Sequence, residues 1–298
     1  MSVEVQAPPP SASVPQDAND LRGFHFRRLM KKGLTIGLGG AFVLAVGIGL
    51  AAATRPIIGL AAAGGALLIV LIVVFVIADS KAEDDFFRAY ANGRGLQWSD
   101  SRGSLPPVTA LLRKGDARYT EMTLTGQLPS GPNGVLAHYT YEEETTDSDG
   151  NRQTSYYHFT VVFCELPEVA TIVSELALQR RSGFRFLDST EDKFRKRQRV
   201  ELESEEFDKR YETFIGEHDD MNKARQIFEP SFIVWLAENA PKNFSFELVA
   251  GALCLAVKGK LESADQLDGI CAGAGVVGKR LVGEAEEVSP PAPDAGAA

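Results

Sequence analysis

The chain has 298 residues, 31 basic and 40 acidic side chains, and a net charge of −9. After Asp79 there are 25 basic and 36 acidic residues, a net of −11, which excludes a general nucleic-acid binder, because a polyanion needs a positive field. The three cysteines, Cys164, Cys254 and Cys271, are odd in number and far apart; this argues against a disulfide framework or zinc site and for small buried hydrophobes.

In chain order, residues 1–32 read as a disordered tail with a basic end. Pro8-Pro9-Pro10 sits among Ser, Ala and Gln, and Arg22, Arg27, Arg28, Lys31 and Lys32 follow. Residues 33–79 read as a two-helix transmembrane hairpin. Leu34–Ala53 and Ile57–Ala78 carry no charge and are separated only by Thr54-Arg55-Pro56. Each has about the 20 residues that a helix needs to cross the hydrocarbon core. A cleaved signal peptide is the competing reading, with Ala51-Ala52-Ala53 as a cleavage pattern, but the first run is longer than a usual signal core.

The basic cluster before the first span, against a lone Arg55 between the spans, places both termini in the cytoplasm by the positive-inside rule. The expected location is the plasma membrane, with two passes. Gly33 with Gly37, and Ala61 with Gly65, match small-x-x-x-small spacing, which suits either packing of the two spans on each other or oligomerisation. Neither span contains a charged residue, so a channel or proton path has no support.

Residues 80–283 read as a soluble α+β domain with a mainly antiparallel sheet, and 284–298 as a second tail. Ser80–Asn92 continues the second span as a helix, and Pro106-Pro107 opens a short helix through Leu112. The period then changes to two. Tyr119–Leu128, Val135–Thr145 and Thr154–Cys164 read as strands, with Asp149-Gly150 as a hairpin signal. Glu201–Phe214 follows as a strand with some helical character. Asp219–Phe228 and a Pro230-initiated segment read as helices, with Asp219 and Asp220 suited to the positive helix start. Phe244–Leu248 and Ala252–Lys258 pair around Gly251, and Leu261–Leu281 reads as a Gly-interrupted helix. Strands lead and helices come late, without β-α-β alternation.

Several motifs invite chemistry. Gly273-Ala-Gly275-Val-Val-Gly278-Lys279 matches G-x-G-x-x-G and the start of a phosphate loop, but polar, helical residues precede it. Arg280 also stands where a magnesium-binding hydroxyl belongs, so close helix packing is the better account. Asp147-x-Asp149-Gly150-Asn151 resembles a calcium loop, yet Thr145 and Tyr156 stand at its first and twelfth positions, which leaves a hairpin turn. If Asp149-Gly150 is a two-residue turn, His158 faces Tyr141 and His138 faces Val161, placing the histidines on opposite faces. No Ser or Cys stands in a nucleophile elbow. No catalytic, cofactor or metal residues are assigned.

Lys193, Arg195, Lys196, Arg197 and Arg199 form one dense basic run in an acidic domain. They are candidate contacts to anionic lipid headgroups, each worth roughly 1 kcal/mol. The alternative is a solvated strand edge that discourages aggregation.

Glu205-Glu206-Phe207-Asp208, Tyr211, Phe214, Ala224-Arg225, Pro230, Trp235-Leu236, Phe246-Glu247-Leu248 and Gly251 together resemble a family of uncharacterised bacterial membrane proteins. That family has two N-terminal spans followed by a cytoplasmic domain of unknown function. The resemblance covers about 60 residues and implies no activity; Phe207, Tyr211, Phe214, Trp235 and Leu236 are what a shared core requires.

These observations lead to a membrane-anchored, non-enzymatic cytoplasmic interaction domain. Its expected partners are the lipid bilayer, anionic headgroups, and a protein partner or second copy. One alternative is a membrane-tethered enzyme assembled from scattered residues such as His138, His158 or Glu247. Another is an accessory subunit of a membrane complex acting through its hairpin.

Overall fold

A computed structural model describes residues 15–31, 33–53, 55–181, 197–202 and 204–288, with backbone alone for 33–36. The chain divides into two compact units, residues 1–93 with 262–264, and residues 94–261 with 265–298.

The first unit holds three helices, α1 (Ala18–Lys31), α2 (Gly33–Ala53) and α3 (Pro56–Arg94). Residues 18–31 are therefore helical, where composition suggested a disordered tail. The order comes from partners distant in sequence, which composition does not register. Ala18 donates its N–H to the Glu262 carbonyl at 3.0 Å, and Arg22 pairs with both Asp79 and Glu262.

Helix α3 is 39 residues long and apolar enough to cross a membrane, and α2 is a 21-residue helix that carries no charged residue. Only 11% of the most apolar window of α3 is buried, and Ile57, Leu60 and Leu38 point outward. The two helices meet where side chains are smallest. A methyl on Gly59 would lie 2.4 Å from Ala51 Cβ and 2.6 Å from the Gly47 carbonyl, and one on Gly47 would lie 2.9 Å from Ala63 Cβ. Gly37 and Gly65 have nothing within 4 Å of such a methyl. The seam thus runs through Gly39, Gly47 and Ala51 on α2, not through the Gly37 motif. Gly37 lies two residues, about 200°, around the helix from Gly39.

Among the described residues, the second unit is built on a nine-stranded antiparallel sheet. Its strands are β1 (Gln97–Ser99), β2 (Ala117–Gln127), β3 (Asn133–Thr146), β4 (Arg152–Glu165), β5 (Glu175–Arg180), β6 (Arg197–Val200), β7 (Tyr211–Gly216), β8 (Phe244–Val249) and β9 (Ala252–Lys258). Their order is β1-β2-β3-β4-β9-β8-β5-β7-β6. The helices are α4 (Ala110–Arg113), α5 (Glu205–Arg210), α6 (Met221–Ile227), α7 (Pro230–Glu238) and α8 (Ala264–Val288). The expected α+β class with an antiparallel sheet is present.

Glu201–Phe214 divides differently from its sequence reading. The Ser204 hydroxyl accepts the Phe207 N–H at 3.3 Å, which starts α5, and the strand begins only at Tyr211. Asp220 caps α6 through the Asn222 N–H at 2.8 Å. Asp219 instead accepts the N–H groups of Ser174, Glu175 and Gly216, tying the ends of β5 and β7 together.

Both faces of the sheet are covered. On one, Tyr139, Tyr141, Phe159, Val161 and Cys254 form a core with Leu111 and Leu112 of α4. On the other, Gly273 of α8 sits so close that a methyl there would come within 3.2 Å of the Phe244 ring. Phe207, Phe228, Phe232, Trp235 and Phe244 form a chain of ring contacts with centroids 5.7 to 6.3 Å apart, and Tyr211 joins at 5.2 Å from Phe207. Phe214 packs instead against the first face.

Candidate functional site

The β3–β4 connection decides which polar side chains meet. It is a five-residue loop, Asp147–Asn151, between the paired residues Thr146 and Arg152. The Asp147 carboxylate closes it by accepting the N–H groups of Asp149 (3.0 Å) and Asn151 (2.8 Å), with Gly150 in the left-handed region at φ 83°. A two-residue turn at Asp149-Gly150 would set a register one residue away. In the observed register His158 is opposite Thr140 and His138 is opposite Thr160. Because side chains alternate at each residue, one step changes the face. The two histidines therefore share a face, contrary to the expectation from a tight turn.

Glu121, at an irregularity of β2 between Thr120 and Met122, reaches into this face. The Thr140 hydroxyl donates to Glu121 Oε1 at 2.6 Å and lies 2.7 Å from His158 Nδ1. Glu121 Oε1 is 3.3 Å from the same nitrogen, and Lys260 pairs with Oε2. Since Thr140 gives its one proton to the carboxylate, its oxygen accepts from His158 Nδ1–H, leaving Nε2 as the basic nitrogen of a neutral ring. Burial pushes the Glu121 carboxyl up. Hydrogen bonds from Lys260 and Thr140, with the charge of Lys260 and that of His158 when its ring is protonated, more than reverse this and hold it below its ordinary 4.5.

His138 has a different task. Its Nε2 lies 3.0 Å from the Leu261 carbonyl, which can only accept, so this nitrogen carries the proton. Thr160 donates to the Gly259 carbonyl at 3.0 Å and accepts the Leu261 N–H at 2.8 Å. Together they fasten residues 259–261 across the strands, and this strap brings Lys260 to Glu121. His138 is fully buried, whereas the His158 side chain is 41% exposed.

Glu247 does not join them. Its carboxylate accepts the N–H groups of Ala110 (2.6 Å) and Leu111 (3.0 Å) at the start of α4, on the opposite face. Of the basic run, Arg197 is drawn inward, its Nε and Nη2 both 2.6 Å from Glu175 Oε1, with the side chains 8% and 12% exposed. Arg199 is exposed on β6, opposite Phe214. Lys193, Arg195 and Lys196 lie outside the described residues.

The glycine motif Gly273–Lys279 falls inside α8, far from its first residue. It offers no loop of free N–H groups at a helix start, which phosphate binding requires. A methyl on Gly275 would lie 2.1 Å from the Ser130 carbonyl, so its small size serves packing. Arg280, after the motif, binds the carbonyls of Gln226 and Ile227 and the Glu284 carboxylate. Among the described residues, no three His, Cys, Asp or Glu side chains are grouped to hold a metal ion.

Sequence reasoning missed Glu121, Thr140 and Lys260. The available signal was Asp147, whose carboxylate is placed to close a five-residue loop.

No family model matches the chain, and no curated protein matches it. Among solved structures, it is similar to the crystal structure of the mycobacterial trehalose monomycolate transport factor A, TtfA. The two share 9% identity over 70% of this chain and 96% of that one, with a TM-score of 0.39. Likeness at that level carries no functional argument.

Proposed function

We propose that the protein is a membrane-anchored, non-enzymatic interaction module. Helices α2 and α3 form a two-pass hairpin, and the sheet domain lies on the cytoplasmic side with both termini. The reading is carried by the outward-facing apolar side chains of the first unit. Ile57, Leu60 and Leu38 are 81%, 77% and 65% exposed. Exposing so many large apolar groups to water is costly at roughly 25 cal/mol per Å², whereas lipid chains cover them without penalty. The basic residues Arg27, Arg28 and Lys31 at the end of α1 set the orientation.

The test combines alkaline extraction of membranes with a side-specific reporter fused after Ala298. The expected result is retention in the membrane pellet and a cytoplasmic reporter. Release by alkali defeats the anchor, and an external reporter defeats the orientation.

One observation favours a second reading, a membrane-tethered enzyme. The Glu121–Thr140–His158 chain leaves a partly exposed imidazole held by a hydrogen bond to Thr140 beside the Glu121 carboxylate, the arrangement of a general base. Metabolite profiling of cells carrying His158→Gln in place of the native chain separates the two. A substrate that accumulates in the variant favours the enzyme, while an unchanged profile with unchanged protein level favours the interaction module.

A further inference from the structure

The first unit contains two cavities of 320 Å³ each, of opposite character. One is apolar and lies between α2 and α3, where Gly40 and Val43 face Leu67, Val70, Leu71 and Val74. Gly40 makes this hollow: a methyl there would meet nothing within 4 Å, while one on neighbouring Gly39 would strike Val70 at 2.9 Å. The other cavity is charged and lies between α1 and the later part of α3. Its charged and titratable lining is His25 and Arg28 on α1, and Lys81, Asp84, Asp85 and Arg88 on α3.

The two cavities share one side of α3. Residues 67, 70, 71, 74, 81, 84, 85 and 88 fall within about 140° of the helix circumference, and Val74 lies about 10 Å along the axis from Lys81. Helix α1 spans the same transition, with Arg28 lining the charged cavity and Met30 the apolar one. Within the charged cavity, Asp85 is engaged by His25 Nε2 at 3.0 Å. Arg28 and Lys81 are both exposed and make no ion pair among the described residues. Three cations against two carboxylates leave an excess of positive charge, and the two cations without a protein partner sit above an apolar slot.

We propose that the two cavities together form a binding site for one anionic phospholipid. Its phosphate lies between Arg28 and Lys81, and part of an acyl chain occupies the slot over Gly40. This deepens the membrane-anchor reading and rests on it. A soluble anion uses only the charged half, and a neutral lipid only the apolar half. The chemistry of the combined site selects a molecule carrying both, with the headgroup at the end where the basic residues mark the cytoplasmic leaflet. The site thereby takes a single lipid molecule, distinct from the bulk bilayer around the helices.

The test is native mass spectrometry of the full chain purified in mild detergent and titrated with phosphatidylglycerol, phosphatidylcholine of the same acyl chains, or inorganic phosphate. Phosphatidylglycerol is expected to remain bound as a single adduct about 30-fold more strongly than phosphatidylcholine, the preference expected of two basic residues near the surface. Arg28→Gln with Lys81→Gln removes that preference. Gly40→Leu fills the slot and weakens phosphatidylglycerol retention by a similar factor. Gly64→Leu, equally open but outside the lining, leaves retention unchanged and controls for a generally disturbed helix pair. Equal retention of the two lipids, undiminished retention in Gly40→Leu, or competition by inorganic phosphate alone each overturns the site. Loss of retention in Gly64→Leu also overturns it, by showing that lipid association is unspecific. Because alkaline extraction tests the anchor separately, a membrane-embedded chain without lipid preference defeats this site and spares the anchor.

Discussion

Thr140 and His158 stand directly opposite each other on β3 and β4, the threonine hydroxyl 2.7 Å from the imidazole Nδ1. Their meeting depends on the Asp147 carboxylate closing the loop that sets the register, and it draws in Glu121 and Lys260.

Glu121 makes this cluster sensitive to acid. Its carboxyl is held below 4.5, so the folded state binds fewer protons than the unfolded state as pH falls through this range. Its stabilisation is fully present above 4.5 and is lost as pH falls through the depressed folded value. Glu121→Gln should lower stability at pH 7 by about 1 kcal/mol and flatten the fall of the unfolding midpoint below pH 4.5. Urea unfolding at a series of pH values checks both; an unchanged acid profile in the variant removes Glu121 from its cause.

The long strands β2, β3 and β4, the β8–β9 hairpin and the extension of α3 were legible because period-two and period-3.6 patterns are local. The β3–β4 register was not, since it rests on one Asp147 side chain bonding four residues ahead. Helix α1 and strand β6 were also hidden, because their order comes from Asp79, Glu262 and Glu175, far away in sequence. Glu247 looked like loose chemistry in the sequence, and only the fold shows it holding the start of α4.

That role makes Glu247 a stability determinant. Glu247→Ala leaves the N–H groups of Ala110 and Leu111 without their carboxylate in a buried site. The expected loss is about 3 kcal/mol. Glu247→Gln should lose less, since its amide oxygen still accepts one of the two. Chemical denaturation of the three proteins gives the ranking; Ala equal to Gln contradicts the hydrogen-bonding role.

The three cysteines are buried and unbridged. Burial pushes the Cys164 and Cys271 thiols up to about 12, and that of Cys254 well above its ordinary 9. At pH 8 almost no thiolate is present to react. Ellman's reagent should label less than one thiol quickly in the native protein and three after denaturation. Fast labelling of any one in the native state shows local opening.

Glycines within α8 should divide sharply. A methyl on Gly275 runs into the Ser130 carbonyl at 2.1 Å, so Gly275→Ala should cost about 2 kcal/mol or more. Gly269 has nothing within 4 Å of an added methyl, and Gly269→Ala should stabilise by about 0.5–1 kcal/mol through helix propensity. Thermal melts that move both variants in the same direction contradict the packing of α8 on the 130–131 loop.

The α2–α3 seam makes the corresponding prediction inside the first unit. Gly59 touches Ala51 and the Gly47 carbonyl, whereas Gly64 on the same helix faces open space. In lipid the hydrophobic effect gives no drive for helices to associate, so close backbone contact carries the packing. Gly59→Val should separate the helices, while Gly64→Val should leave them together. A cysteine pair introduced as Gly39→Cys and Val70→Cys reports their proximity by oxidative crosslinking. The expected crosslink persists in Gly64→Val and falls several-fold in Gly59→Val. Equal crosslinking in both places the contact elsewhere along the helices.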